Sequence, residues 1–125
     1  KQLKKDLNAD KIELKTAQIY SKTDKNQLIP DEIKYRRYRP TENGEWIIKK
    51  KVPNKCNRMW RASVITWDGK VVPCCFDKDA SYQMGNLLDD SFTNIKNNQN
   101  YSSFRRTVFR DRSSIGICNN CTEGI

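Results

Sequence analysis

The five cysteines constrain this chain more than any other feature, because three of them fall within residues 56–75 and two more return near the end as the pair Cys118-Asn-Asn-Cys121. Clustered cysteines in a protein without export signals more often bind a metal than form disulfides. The sequence has no histidine, which excludes Ser-His-Asp and Cys-His catalysis, zinc fingers with two cysteine and two histidine ligands, and HExxH proteases. We therefore predict one thiolate-held metal or cluster site.

A β-hairpin is predicted within the first cysteine group. Residues 59–66 and 71–75 are apolar, β-branched runs joined by Trp67-Asp68-Gly69-Lys70, and an Asp-Gly pair is typical of a two-residue turn. With Asp68 and Gly69 as the loop, Ile65 pairs with Val72 and Ser63 pairs with Cys74. Side chains alternate between the two faces of a strand, so the adjacent Cys74 and Cys75 cannot easily reach the same metal. We expect Cys74 to be the ligand. Cys75 is expected to pack as a buried free thiol on the opposite face, which carries the following apolar residues: Ala62, Val64, Val71 and Pro73.

The remaining pattern predicts an α+β fold. We expect a helix at 1–9 and a half-buried strand with Ile12 and Leu14 at 11–16. The pair Asn43-Gly44 permits a weakly indicated hairpin of strands 33–39 and 45–52. After a polar loop at 76–83 and a tight turn at 84–86, Asp89, Asp90 and Ser91 can cap a short helix that ends near Asn97 and buries Phe92 and Ile95. A second helix at 101–112 is expected to bury the following stripe: Tyr101, Phe104 and Val108.

Size and composition predict a modest core. The chain has 125 residues, of which 36% are hydrophobic, and even with glycine included this share stays below the ~45–50% of soluble domains. Either a metal site or a neighbouring domain must add stability. The first residue is Lys1 and the first helix is polar, so we expect part of a longer cytoplasmic protein that contains neither a signal peptide nor a membrane span.

The net charge of +9 raises the question of nucleic-acid binding. Basic residues cluster at 34–39, 49–51 and 105–112, and aromatic residues interleave the first and last clusters. This pattern is compatible with a nucleic-acid groove, with solvated faces or with docking on an acidic partner domain. Because no nucleic-acid-binding motif accompanies the charge, we favour solvated or docking faces.

Four of the cysteines have a spacing that suits a single site. Cys56, Gly69 and Cys74 fit Cys-x12-Gly-x4-Cys, and Cys118 with Cys121 adds a chelating Cys-x2-Cys pair. Four thiolates can hold either a structural Zn²⁺ ion or an iron-sulfur cluster, and spacing alone does not choose between them.

Taken together, these motifs resemble the SPASM domain found at the C-terminus of radical S-adenosylmethionine enzymes. The resemblance covers about residues 50–124, and it rests on the spacing above, the wording TWDGKVVPCC, Met84-Gly85-Asn86, the helix with Phe104-Arg105 and the final Cys-x2-Cys. It implies one auxiliary 4Fe-4S cluster, serving electron transfer or substrate positioning, with these ligands: Cys56, Cys74, Cys118 and Cys121. The family's second auxiliary cluster needs further cysteines, and none follows Cys121.

The resemblance also implies a parent enzyme. Residues 9–20 are similar to the last helix and strand of the partial (β/α) barrel that precedes SPASM domains. We accordingly expect three parts: a barrel remnant at 1–20, a linker with strands at 21–52 and the cluster domain at 53–125. The cluster domain is expected to consist of a β-hairpin and two short helices around a four-cysteine cluster site. The Cys-x3-Cys-x2-Cys motif that binds S-adenosylmethionine and its cluster is absent, so this segment alone is not expected to be catalytic. The parent would be an oxidoreductase or a peptide-modifying enzyme with a peptide or protein substrate.

Overall fold

The computed structural model describes residues 2–13, 15–19, 22–23 and 27–124, which form an α+β fold of two small antiparallel sheets and short helices. None of the helices in this part of the chain is long and apolar enough to cross a membrane. The strands are β1 Tyr38–Pro40, β2 Trp46–Ile48, β3 Val64–Ile65, β4 Lys70–Val72 and β5 Gly85–Asn86. The helices are α1 Gln2–Asp6, α2 Arg58–Arg61, α3 Phe92–Asn97, α4 Gln99–Asp111 and α5 Gly116–Asn119, with 3-10 turns at Ile33–Tyr35 and Arg112–Ser114.

The first hairpin, β1 and β2, confirms the weakly indicated pair of strands. Its residues pair as Tyr38 with Ile48 and Pro40 with Trp46, and the turn is closed by a bond of 2.8 Å from the Thr41 amide to the Glu45 carbonyl. Both strands are shorter than predicted. The segment Ile33–Tyr35 is a 3-10 turn and not a strand.

The second hairpin, β3 and β4, has the same type of turn. Its register differs by one residue from the prediction. Val64 pairs with Val72 and Ile65 with Val71, so the loop has three residues between Thr66 and Lys70. Only Gly69 of this loop has a positive φ, +81°, whereas the predicted two-residue type I′ turn needs two positive φ values. The Thr66 hydroxyl accepts the Lys70 amide at 3.1 Å, as the Thr41 hydroxyl accepts the Glu45 amide at 3.1 Å. Thr-x-x-Gly-x is therefore the shared turn sequence.

The strands of the second sheet are also shorter than predicted, and a third strand is present. Residues 58–61 form α2, not the start of a strand, because the helical turn places Met59 in the core, where it is 1% exposed. β4 ends at Val72, before Pro73, which has no amide hydrogen to donate. The predicted turn at 84–86 is wrong. Residues Gly85–Asn86 form β5, which pairs with β4.

The core lies between the second sheet and the two helices that follow it. Ser91 caps α3 by accepting the Asn94 amide, and the predicted stripe on α4 is buried: Tyr101, Phe104 and Val108. Ile95 of α3 is buried, but Phe92 is 43% exposed, contrary to prediction. The short α3 turns only one stripe toward the sheet, and Ile95 fills the space that a side chain at Gly85 would need. Cys118 belongs to this core and Cys56 packs against it.

At the N-terminus, α1 confirms a helix within residues 1–9, and its Leu3 and Leu7 are exposed. No strand is present among the described residues 11–13 and 15–19, contrary to prediction. These residues are held instead by side-chain contacts, including the Ile19 amide, which donates to the Tyr38 hydroxyl at 3.3 Å. Leu14, Tyr20 and Ile125, which the sequence predictions included, lie outside the described residues.

Candidate metal centre

Cys56 lies just before α2 and is brought next to the end of the chain by backbone contacts. The Asn57 amide donates to the Gly124 carbonyl at 2.6 Å. Gly124 has a φ of +77°, and a Cβ atom at this position would lie 2.5 Å from the Cys56 Sγ atom. A glycine at position 124 therefore provides both the left-handed backbone and the space that the Cys56 thiol occupies.

Cys74 and Cys75 lie in a turn that follows β4, not on the strand itself. The Cys74 Sγ atom is partly buried and accepts the Phe76 amide at 3.3 Å, and burial raises the pKa of this thiol to about 11. Cys75 is exposed, and its Sγ accepts a hydrogen bond from Arg58 Nη1 at 3.4 Å. The prediction that Cys75 packs as a buried thiol is thus wrong, because strand alternation does not extend into the turn.

Cys118 and Cys121 are presented by α5 and the turn after it. Both are buried, and the Cys121 amide bonds to the Cys118 carbonyl at 3.2 Å. The Cys121 Sγ accepts the Glu123 amide at 3.3 Å. Burial raises the pKa of Cys118 to about 12; the positive charge of Arg112 opposes this rise, and the neighbouring cysteines add to it. Without a metal, Cys118 is held as the neutral thiol, so that binding a metal must displace its proton.

These four cysteines converge from three separate segments. Besides burial, the charges of Cys74, Cys121 and Cys56 raise the pKa of Cys118, and those of Cys75, Cys121 and Cys56 raise the pKa of Cys74. All five cysteines lie in the described part of the chain and none forms a disulfide. Among the described residues, no group of three or more Cys, Asp or Glu side chains is close enough to hold a single metal ion.

Sequence analysis did not identify Arg112 as part of this region. The side chain is 2% exposed and donates to three backbone carbonyls, those of Lys55 at 2.7 Å, Cys121 at 3.2 Å and Glu123 at 2.9 Å. It therefore ties the segment before Cys56 to the segment around Cys121. In the sequence it was one of several arginines in the 105–112 cluster, and no local signal distinguishes it from its exposed neighbours.

Asp77 was also missed, although it organises the loop after Cys74. It is 4% exposed, and its two carboxylate oxygens accept the Ser81 and Tyr82 amides, each at 2.8 Å. Its own amide donates to the Cys74 carbonyl at 3.1 Å. The loop is joined to α5 by the Tyr82 hydroxyl, which accepts the Gly116 amide at 2.9 Å. Asp77 thus links the Cys74 turn to the helix that carries Cys118.

We expect Asp77→Ala to destabilise the domain, because it removes two hydrogen bonds to a buried carboxylate, and a hydrogen bond to a charged group contributes roughly 1.5–3 kcal/mol. Asp77→Asn is expected to have a smaller effect, since its one carbonyl oxygen can still accept one of the two amides. Asp79→Ala is the control, because Asp79 is 70% exposed and pairs with Lys78 at the surface; its effect should stay within about 0.5 kcal/mol. Denaturant unfolding without oxygen measures all three, and equal effects of Asp77→Ala and Asp79→Ala would contradict this role.

The basic clusters are only partly solvated. Arg36 contacts the Trp46 ring at 5.6 Å, and Arg105 lies between the Trp60 and Tyr101 rings, 4.2 and 4.5 Å from their centroids. Arg106 and Arg110 are exposed. Arg36 and Arg105 of the basic clusters are therefore engaged in cation–π contacts within the chain, with aromatic rings from outside those clusters.

The residues gathered here suit a thiolate-bound metal group. Thiolates are soft ligands that select zinc, copper(I) and iron-sulfur clusters, and no imidazole is available to the site because the sequence has no histidine. Backbone amides already point at the Sγ atoms of Cys74 and Cys121, as expected for sulfurs that carry negative charge. The positive charge of the buried Arg112 opposes the rise in the pKa of the Cys118 thiol, and Arg112 donates to the Cys121 carbonyl.

The chain matches the model of a known family. The model of the SPASM family, described as an iron-sulfur cluster-binding domain, matches residues 56–122, which include Cys56, Cys74, Cys118 and Cys121. No curated protein and no solved structure matches the chain significantly.

Proposed function

Because this chain belongs to the SPASM family of iron-sulfur cluster-binding domains, we propose that it binds one 4Fe-4S cluster as the auxiliary cluster domain of a radical S-adenosylmethionine enzyme. The proposed ligands are Cys56, Cys74, Cys118 and Cys121. The observation that carries the proposal is that the family match covers all four cysteines, whose segments are joined by hydrogen bonds from Asn57 to Gly124 and from Gly116 to Tyr82. When bound, the cluster would supply one-electron redox chemistry.

The role of the chain's own residues is to hold and insulate that cluster. Cys118 and Cys121 are buried, and the Cys74 and Cys121 sulfurs accept backbone amides. Burial, hydrogen bonds to sulfur and nearby charge are the factors by which a protein sets the potential of an iron-sulfur cluster. These features support electron transfer as the first role of the domain.

Substrate positioning is supported by a cavity of about 350 Å³ that borders Cys118. Its lining is mixed: Ile47, Ile48 and Val52 are apolar, whereas most of the other residues are polar or charged, among them Lys50, Lys51 and Asp111. The volume is in the range of ligand sites, and this lining suits a polar or charged peptide side chain. The enzyme partner in this proposal is a radical S-adenosylmethionine barrel domain, with S-adenosylmethionine bound there and not by this chain. A reducing compartment such as the cytoplasm would keep the five thiols unpaired.

Metal and acid-labile sulfide analysis tests the proposal most directly. The chain would be purified and reconstituted without oxygen, with a Cys118→Ser, Cys121→Ser double variant as the control. We expect about four iron and four sulfide per chain and a broad visible absorption that bleaches with dithionite. The control should retain little of either. One zinc, no sulfide and a colourless protein after reconstitution would overturn the proposal in favour of a structural zinc site.

A further inference from the structure

Arg112 is a buried cation whose hydrogen-bond partners in the described part of the chain are backbone carbonyls, with no carboxylate among them. Glu123 carries one of these carbonyls, but its side-chain carboxylate pairs with other arginines, Arg58 at 3.3 Å and Arg37 at 3.9 Å. Burying a charge is costly unless it is paired. The location of Arg112 beside the cysteines therefore requires a compensating negative charge.

One nitrogen atom of this guanidinium, Nε, has no hydrogen-bond partner among the described residues. The Nε atom is also buried. In a planar guanidinium, the Nε–H and one Nη2 hydrogen point to the same edge. Nη2 donates to the Cys121 and Glu123 carbonyls. The Nε–H donor, which shares an edge of the guanidinium with Nη2, therefore faces the segment of Cys121. A buried donor left without an acceptor is destabilising.

We propose that Arg112 is the counter-charge of the iron-sulfur cluster and that its Nε–H donates a hydrogen bond to a sulfur atom of the cluster or of its cysteine ligands. The inference rests on the proposed function, since it needs a cluster bound by Cys56, Cys74, Cys118 and Cys121. A cluster with four thiolate ligands is anionic, and it becomes more negative when reduced. The anionic cluster would thus balance the positive charge of Arg112 and accept the hydrogen bond from its Nε–H.

The consequence is a higher reduction potential. A fixed positive charge and a hydrogen bond both favour the more negative, reduced state of the cluster. Lysine would keep the charge but lose the planar fork of donors, whereas glutamine would lose the charge. Arg112 is therefore a positioning and tuning residue, and its substitution should move the potential as well as the stability.

The first test compares the midpoint potentials of the reconstituted chain and three variants, titrated with dithionite without oxygen. Arg112→Gln is expected to shift the potential to a more negative value, and Arg112→Lys to give a smaller shift in the same direction. Arg106→Gln is the matched control, because Arg106 is an exposed arginine on α4, and it should leave the potential unchanged. A loaded Arg112→Gln variant with the wild-type potential would overturn the proposal, whatever its stability.

The second test needs no variant of Arg112 that loads iron. The chain is labelled with ¹⁵N-arginine, reconstituted and reduced, and the cluster is studied by pulsed electron paramagnetic resonance, both in the wild type and in Arg58→Lys, because Arg58 also lies near Cys56 and Cys75. We expect a weak coupling from an arginine ¹⁵N nucleus to the cluster spin that persists in Arg58→Lys. A reduced cluster without this coupling overturns the hydrogen bond while leaving the proposed function intact. A wild-type chain that binds no iron and sulfide overturns the proposed function itself, so the two failures are distinguishable.

Discussion

Cys74→Ser is expected to remove most of the bound iron and sulfide, whereas Cys75→Ser should retain both. The Cys74 thiol is partly buried and receives charge effects from Cys56 and Cys121, while Cys75 is exposed and contacts Arg58. Loss of a metal site is one of the few mechanisms by which a single substitution costs more than about 4 kcal/mol. Iron content and anaerobic denaturant unfolding of the two variants measure both effects.

Equal losses in the two variants would contradict the assignment of Cys74 as the ligand. The double variant Cys74→Ser, Cys75→Ser tests whether the adjacent thiol can replace it. If Cys74→Ser keeps its iron and the double variant loses it, then the turn after β4 is adaptable enough for Cys75 to serve as the ligand. We expect instead that Cys74→Ser and the double variant lose similar amounts of iron.

Gly124→Ala is expected to reduce iron binding strongly, although position 124 contributes no ligand. The added Cβ would lie 2.5 Å from the Cys56 Sγ atom, so the thiol must move away from its position. The backbone at position 124 is fixed by the bond from the Asn57 amide, which limits how far it can shift. Iron content after reconstitution and the rate of iron loss to a chelator report the effect.

Gly44→Ala is the matched control for this substitution. Gly44 has a φ of +74°, close to the +77° of Gly124, but a Cβ at position 44 would have no atom within 4 Å. In both variants an alanine must adopt the left-handed backbone conformation, which lowers stability by roughly 1–2 kcal/mol. Only Gly124→Ala adds the contact with Cys56. Equal iron contents and release rates in the two variants would show that Cys56 does not need its present position to hold the cluster.

The two hairpins illustrate how far local sequence reasoning reaches. Asn43-Gly44 and Asp68-Gly69 both predicted a reversal of the chain at the observed place. The predicted register of the second hairpin is wrong by one residue because the Asp-Gly pair alone does not determine the loop length. Thr41 and Thr66, which stand three residues before each glycine, close the wider loop with their hydroxyl groups. This signal is present in the sequence and would have given the correct register.

The choice between Cys74 and Cys75 followed from the wrong register and from an alternation that does not apply in a turn. The structure nevertheless separates the two residues, with Cys74 partly buried and Cys75 exposed. Burial depends on how the turn packs against the rest of the domain. Strand periodicity cannot contain that information.

Residue chemistry, turn residues and helical periodicity act over a few neighbouring positions, so local sequence was enough to predict the class of site, the hairpin positions and the buried stripe of α4. Long-range packing, in contrast, selects which arginine is buried and which glycine leaves space for a thiol. Arg112 bonds to Lys55 and Gly124 receives Asn57, and these pairs are separated by more than fifty positions in the chain. Such contacts form only when the intervening core folds, so no local pattern marks the residues that make them.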